Sequence, residues 1–331
     1  MDVNSDWFHL QDFIAKHQNK AQYLALATLT KVEGSSYRKP GARLLINAAG
    51  EYSGSLSGGC LEVGIAQVAK QVVQDGVIRT EKINTQPHFG CPGVLTFLIE
   101  KVNICGLLDK ILHKINQRET FHLTTTNTGT TIEKSCVAST FTETIFPKPR
   151  LIVIGWTSDQ EPLFQMAATL NWECIRVVKD SNVAAATPIV AHEQVIVCSA
   201  EDLAKTLPPD PQTAILIMSH HMATDFSFLS SAASQSYSYI GLLGSKRRRE
   251  KLLTELGENG LLEQAEWTEN LYAPVGLDIG ATNPSTIALS ILAEIQSKFN
   301  LTQKIKLTSG ALEDDAMNAT TESSRQCGLP Q

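Results

Sequence analysis

Leu151-Ile152-Val153-Ile154-Gly155 sets the architecture of the larger part of this chain. Four consecutive apolar residues, three of them β-branched, describe a strand covered on both faces, and the glycine ends it in a turn. Beyond it, residues 161–170 have helical spacing, and Cys174–Val178 is a second apolar strand ending near Asp180. Further apolar runs stand at Val195–Cys198, Ala214–Met218 and Tyr239–Leu243, with helical stretches between them. Asn283 is placed as an N-cap, Pro284 as the first residue of a last helix, and Ile287, Ile291, Leu292 and Ile295 as its core-facing stripe. Doubly apolar strands alternating with helices predict a parallel sheet covered on both sides, a Rossmann-like doubly wound domain over residues 150–299.

Phe146-Pro147-Lys148-Pro149 breaks regular structure just before that domain. Upstream, residues 1–147 predict an α+β domain. It has a short helix at 6–18, strands at Tyr23–Val32, Ala42–Asn47 and Val94–Glu100, and a hairpin turn at Ala49–Glu51 leading into a strand at Glu51–Leu56. A helix is expected over Gly59–Asp75 with Gly76 as its C′ residue, another over 106–118, then a Thr-rich hairpin at Asn127-Thr128-Gly129. Residues 300–331 are polar and predict a frayed tail. The fold class is therefore α/β: an α+β domain followed by a doubly wound one.

The chain has 331 residues, 43% of them hydrophobic, so it can bury a sizeable core. Its 28 basic and 34 acidic residues leave a net charge of −6, which argues against a dedicated nucleic-acid binder. No apolar run reaches the roughly 18–20 residues that span a bilayer. The start MDVNSDWFHL lacks the basic and apolar stretches of a signal peptide, so a cytoplasmic location is expected. The seven cysteines, at 60, 91, 105, 136, 174, 198 and 327, are odd in number and scattered, which reads as free thiols.

Three groups of residues suggest chemistry in the first domain. Glu33–Arg43 combines Gly and Ser with Arg38, Lys39 and Arg43, and Ser35, Ser36 and Gly41 free the backbone around them. Such a loop suits an anion, phosphate above all; the alternative is a solvated turn. Gly54–Glu62 holds Ser57, Gly58, Gly59, Cys60 and Glu62 where a helix is expected to start. Unpaired N–H groups there would bind an anion and favour a Cys60 thiolate, a nucleophile or soft-metal ligand. Cys91 sits in a second Gly-flanked turn, Phe89–Gly93, which could face the same pocket; the alternative is that both cysteines are small buried residues in tight turns.

In the second domain, a dinucleotide fingerprint after Ile154 would want glycine at positions held by Gly155, Thr157 and Gln160. A Cβ at Thr157 obstructs pyrophosphate and Gln160 opposes close packing, although Asp180 lies about where a ribose-binding acid would stand. Ser219–Asp225, with His220 and Asp225, follows a strand and belongs at the carboxyl edge of the sheet. Gly244-Ser245-Lys246-Arg247-Arg248-Arg249 also follows a strand and opens a helix that could hold phosphate, or be a basic face paired with Glu250 and Glu255.

The stretches EGSSYRKPGARLLI, GSLSGGCLE and FGCPGVLTFLIE, and later SHHMATDFSFL, YIGLLGSKRRREKLL and APVGLDIGATNPSTIALSILAEI, resemble the xanthine dehydrogenase accessory proteins, the XdhC/CoxI family. The resemblance covers about residues 12–100 and 150–298. It implies an accessory protein rather than an enzyme. Such a protein binds molybdenum cofactor (molybdopterin), supports its sulfuration with a cysteine desulfurase, and delivers it to a xanthine dehydrogenase-like molybdoenzyme, as a homodimer or other homo-oligomer. On this resemblance Arg38, Lys39 and Arg43 would hold the cofactor phosphate, the Ser57–Cys60 turn would donate N–H groups, and Cys60 or Cys91 would meet the molybdenum. Gly155, Asp180, His220, Asp225, Gly244, Ser245, Lys246, Arg247 and Asp278 would supply cofactor-binding positions in the second domain. The chain departs from the family pattern at Trp156-Thr157-Ser158-Asp159 and at Ser181-Asn182 after Asp180. Two other functions compete: an NAD(P)-dependent oxidoreductase, suggested by fold alone, and a cofactor-free interaction module for the target enzyme.

Overall fold

The computed structural model describes residues 5–18, 23–57, 59, 61–85, 93–132, 141–186, 193–262 and 265–300. Two compact units divide the chain, Met1–Lys148 and Pro149–Gln331, so the division falls inside the proline-rich segment. The expected tail beyond residue 300 lies outside the described residues. Among those described, no helix is long and apolar enough to cross a membrane.

Unit 1 runs α1 (Ser5–His17), β1 (Tyr23–Gly34), β2 (Arg43–Ile46), β3 (Tyr52–Gly54), α2 (Glu62–Asp75), β4 (Arg79–Asn84) and β5 (Gly93–Asn103). A π-helical turn (Ile104–Leu108), α3 (Asp109–Asn116), β6 (Phe121–Thr126), β7 (Gly129–Thr131) and β8 (Phe141–Ile145) complete it. The first five strands form an antiparallel sheet in the order β3-β2-β1-β5-β4, and the last three a small antiparallel sheet, β7-β6-β8. Alternation along β1 builds both faces of the larger sheet. Leu24 and Leu26 pack with Trp7, Leu10 and Ile14 of α1. Ala25, Ala27 and Leu29 pack with Ile65, Ala66, Ala69 and Val72 of α2, the two alanines leaving room for the helix backbone. Gly76 closes α2 at φ 72°, its N–H bonded to the Val72 carbonyl. Sequence periodicity misses β4, because Arg-Thr-Glu-Lys-Ile-Asn is a polar edge strand with no apolar face to signal it. The expected helix at 106–118 opens instead as the π-helical turn from Ile104.

An ionic set is buried in unit 1. Arg43 is wholly buried: its guanidinium pairs with Glu143, donates to the Gly41 carbonyl at 2.6 Å and stacks over the Trp7 ring at 4.8 Å. Desolvation lowers the Arg43 pKa to about 10, with Asp6 and Glu100 opposing the shift, so it stays charged. Arg38 donates to both carboxylate oxygens of Asp6 at 2.5 Å, and Asp6 also accepts the Arg43 backbone N–H at 3.2 Å.

Unit 2 runs β9 (Arg150–Ile154), a 3-10 turn (Ser158–Gln160), α4 (Glu161–Thr169), β10 (Glu173–Val178), α5 (Ser181–Ala186), β11 (Glu193–Val197), α6 (Leu203–Thr206) and β12 (Thr213–Ile217). It continues with α7 (Met222–Ala233), β13 (Tyr239–Leu242), α8 (Lys246–Glu258), α9 (Ala265–Thr268), β14 (Leu271–Tyr272) and a final helix, α10, over residues 284–300. All six strands are parallel, in the order β11-β10-β9-β12-β13-β14. This is the Rossmann-like doubly wound arrangement, and its direction of winding reverses between β9 and β12. Ile152 and Ile154 pack with α7 and α8 on one face; Leu151 and Val153 pack with α4 and α10 on the other. Asn283 caps α10 through a 3.0 Å bond from the Thr286 N–H to its side-chain oxygen, and Ile291, Leu292 and Ile295 are buried beneath it.

Removing one member of a buried ion pair leaves the other uncompensated, at a cost of about 3–5 kcal/mol. Arg43→Ala should therefore lower the urea stability of unit 1 by about that much. The paired replacement Arg43→Met with Glu143→Leu should recover most of the loss.

Candidate functional site

Register places three sequence-singled segments at one end of the larger sheet of unit 1. Gly34 at the end of β1 faces Gly93 at the start of β5, Asn84 at the end of β4 faces Val94, and Gly54 at the end of β3 faces Leu44 near the start of β2. The loop after β1, the loop after β3 and the entry to β5 therefore emerge side by side. Two glycines permit this crowding. A Cβ on Gly93 would lie 2.3 Å from the Ser35 carbonyl oxygen, and one on Gly54, at φ 107°, 2.3 Å from the Arg43 carbonyl oxygen.

The loop cations divide into two kinds. Arg38 and Arg43, expected to hold phosphate, are buried and engaged by Asp6 and Glu143, so they hold the loop to the fold rather than offering an open charge. Lys39, Ser35 and Tyr37 are exposed, Tyr37 by 59%, and Ser36 is half-buried. Gly41 is buried at φ 96°. Sequence reasoning missed Asp6 and Glu143, which lie far from the loop along the chain and carry no local signal.

The second loop wraps a carboxylate of its own. Glu62, only 2% exposed, accepts the backbone N–H groups of Leu56 (2.8 Å), Ser57 (2.8 Å), Gly59 (3.0 Å) and Leu61 (3.1 Å). The Ser57 hydroxyl donates to it at 2.7 Å and the Ser55 hydroxyl at 3.4 Å. Burial by itself would raise the Glu62 pKa; the Ser57 hydroxyl and the surrounding N–H groups overcome it and hold the acid at about 2. The donors expected to meet a ligand anion are thus taken by an internal anion, and α2 begins at Glu62 rather than at Gly59. Gly59 itself, at φ 117°, faces open space. Gly58, Cys60 and Cys91 lie outside the described residues.

In unit 2 the residues at the carboxyl edge of the sheet meet at the reversal of winding. A Cβ on Gly155, at φ 95°, would lie 2.4 Å from Ser219 Cα, so the turn after β9 abuts the turn after β12. Gln160, wholly buried, donates its amide to the Met218 carbonyl at 3.2 Å and accepts from Arg176 at 2.6 Å. Arg176 also pairs with Glu193 at 2.8 Å. A side chain therefore fills the position where a dinucleotide fold keeps its third glycine, which tells against NAD(P) in the usual place.

Other expected site residues serve the fold. Asp180 accepts the Asn182 N–H at 2.6 Å at the start of α5, instead of standing open to a ribose. Asp225 is wholly buried and accepts from the Ser219 hydroxyl and the Arg248 guanidinium. Ser245 caps α8 through the Arg248 N–H, and Gly244 lies against the Arg248 side chain. His220, Lys246, Arg247 and Asp278 are exposed. Among the described residues, no group of three His, Cys, Asp or Glu side chains could hold a metal ion.

Comparison with known proteins agrees with both units. Residues 17–84 match the XdhC and CoxI family, and residues 151–295 match the XdhC Rossmann domain. The chain is 29% identical to a Bacillus subtilis protein named as a probable xanthine dehydrogenase component, over 87% of this chain and 96% of that one. It is 27% identical to PaoD of Escherichia coli, named a molybdenum cofactor insertion chaperone, over 82% of each. A solved structure from Bacillus halodurans, described as a xanthine dehydrogenase, superposes with a TM-score of 0.69 at 26% identity, covering 91% of this chain and 96% of that one.

The depressed Glu62 acid stabilises the fold above its ordinary value of 4.5, and that contribution is lost as pH falls toward about 2. Glu62→Gln should lower unfolding stability at neutral pH. The gap from wild type should hold down to about pH 5 and narrow below it, read from urea midpoints across pH.

Proposed function

We propose that this chain, which belongs to the XdhC and CoxI family, binds molybdenum cofactor, assists its sulfuration and inserts it into a xanthine dehydrogenase-like molybdoenzyme. The observation that carries this is the match of both units, in order, to that family, together with similarity over most of its length to a relative named as an insertion chaperone. The partners on this reading are the molybdoenzyme and a cysteine desulfurase, with a homodimer as the working form in the cytoplasm.

The exposed groups at the unit 1 sheet end fit such a ligand. Lys39 offers an ammonium and Ser35 and Tyr37 offer hydroxyls, which suit a terminal phosphate. Arg38 and Arg43 hold that loop from beneath through Asp6 and Glu143. Glu62 keeps the neighbouring loop in one shape and, being an anion, directs phosphate toward Lys39. When bound, the cofactor supplies a soft metal–sulfur centre. Cys60 and Cys91, whose thiolates match such a centre, are carried by the two flanking segments in sequence.

Molybdopterin should co-elute with the purified chain at near one per chain, scored by fluorescence of its oxidised pterin. Lys39→Ala should weaken binding about tenfold, the effect of losing one charge-assisted contact worth about 1.4 kcal/mol, and Cys60→Ala or Cys91→Ala should lose it. Millimolar NAD(P) should leave the melting temperature unchanged. Folded wild-type protein that carries no pterin would overturn this function in favour of a cofactor-free interaction module.

A further inference from the structure

The reversal point of the unit 2 sheet holds groups that neither the fold nor the unit 1 site uses. The loops after β9 and β12 meet there, and Asp159 Oδ2 lies 3.9 Å from His220 Nε2 across them. In doubly wound sheets this crevice is where ligands lodge.

The residues at the crevice describe what would enter it. Trp156 is 39% exposed, whereas Trp7, Trp172 and Trp267 are buried, so one indole of the four keeps a face free for stacking. Asp159 Oδ1 and Thr157 Oγ1 are shut off from water without a hydrogen-bond partner, a costly condition that a ligand donor would relieve. His220 is held at φ 57°, a region non-glycine residues seldom enter, with its carbonyl fixed by Arg248 at 2.7 Å. Pyrophosphate does not suit the place, since Gln160 fills the turn and the Asp159 carboxylate would repel it.

A carboxylate accepts two N–H donors lying side by side. With a stacking face beside it, the matching ligand is a flat heterocycle with paired donors on one edge. A 2-amino-4-oxopyrimidine ring has that pair, its ring N–H next to its amino group, and both pterins and guanine contain it. Adenine does not: its amino group adjoins an acceptor nitrogen.

We propose that the reversal point of unit 2 binds the 2-amino-4-oxopyrimidine edge of a pterin or guanine, Asp159 accepting its paired N–H donors and Trp156 stacking on its ring. The choice of pterin as the source rests on the cofactor function proposed above; the edge chemistry does not.

Equilibrium dialysis of the full chain against neopterin, guanosine and adenosine tests this, because none carries phosphate and Lys39 plays no part. Neopterin and guanosine should bind saturably, with adenosine at least tenfold weaker. Asp159→Asn, nearly isosteric, should keep the wild-type melting temperature and lose at least tenfold for neopterin and guanosine while leaving adenosine unchanged. Trp156→Ala should weaken all three. Guanosine binding well above neopterin would support the edge and assign the source to a nucleotide. Adenosine as tight as guanosine, unchanged neopterin binding by Asp159→Asn, or no binding at all would overturn the proposal. Failure with neopterin while molybdopterin still co-elutes removes this site alone. Neopterin binding without molybdopterin co-elution removes the cofactor function and leaves the site.

Discussion

Backbone N–H groups in tight loops and at helix starts must find acceptors, and in this protein the chain's own carboxylates supply them. Glu62 gathers the donors of the loop from Leu56 to Leu61, Asp180 takes the first turn of α5, and Asp225 receives the turn after β12. Each stands where an anionic ligand would otherwise be drawn. The consequence runs through both units: an external phosphate has to be held by side chains outside these loops, and exposed Lys39 is placed for that in unit 1.

The buried cations follow the same logic in reverse. A guanidinium taken wholly out of water needs an anion beside it. Arg43 has Glu143, Arg38 has Asp6, Arg176 has Glu193 and Arg248 has Asp225. These pairs tie elements that are distant in sequence: α1 to the loop after β1, β2 to β8, and the turn after β12 to α8. The loops near the candidate sites are therefore fixed from below, which leaves their exposed residues, Ser35, Tyr37 and Lys39 in one unit and Trp156 and His220 in the other, as the groups free to meet a ligand.

How much of this is legible in the sequence depends on how local the cause is. The parallel sheet is legible because Leu151–Ile154, Ala214–Met218 and Tyr239–Leu243 must be covered on both faces, and Gly76 and Asn283 cap their helices as their chemistry predicts. The polar edge strand Arg79–Asn84 is silent, since pairing with β5 rather than any apolar pattern makes it a strand. The site is less legible than the fold. Arg38 and Arg43 read as ligand cations because their partners are 32 and 100 residues away, and Glu62 reads as a helix residue because nothing in the sequence shows the loop curling back onto it. Thr157 and Gln160, by contrast, disclose the altered crevice directly, because the dinucleotide turn needs glycine at those positions.

Glu62, rather than a ligand, fills the loop after β3, and amide hydrogen exchange of the purified chain, with and without bound molybdopterin, reads this residue by residue. The amides of Leu56, Ser57, Gly59 and Leu61 should be protected in the free protein and stay as they are on loading, while those around Ser35 to Lys39 gain protection. Unprotected amides at 56–61 that become protected only when the cofactor binds would contradict this.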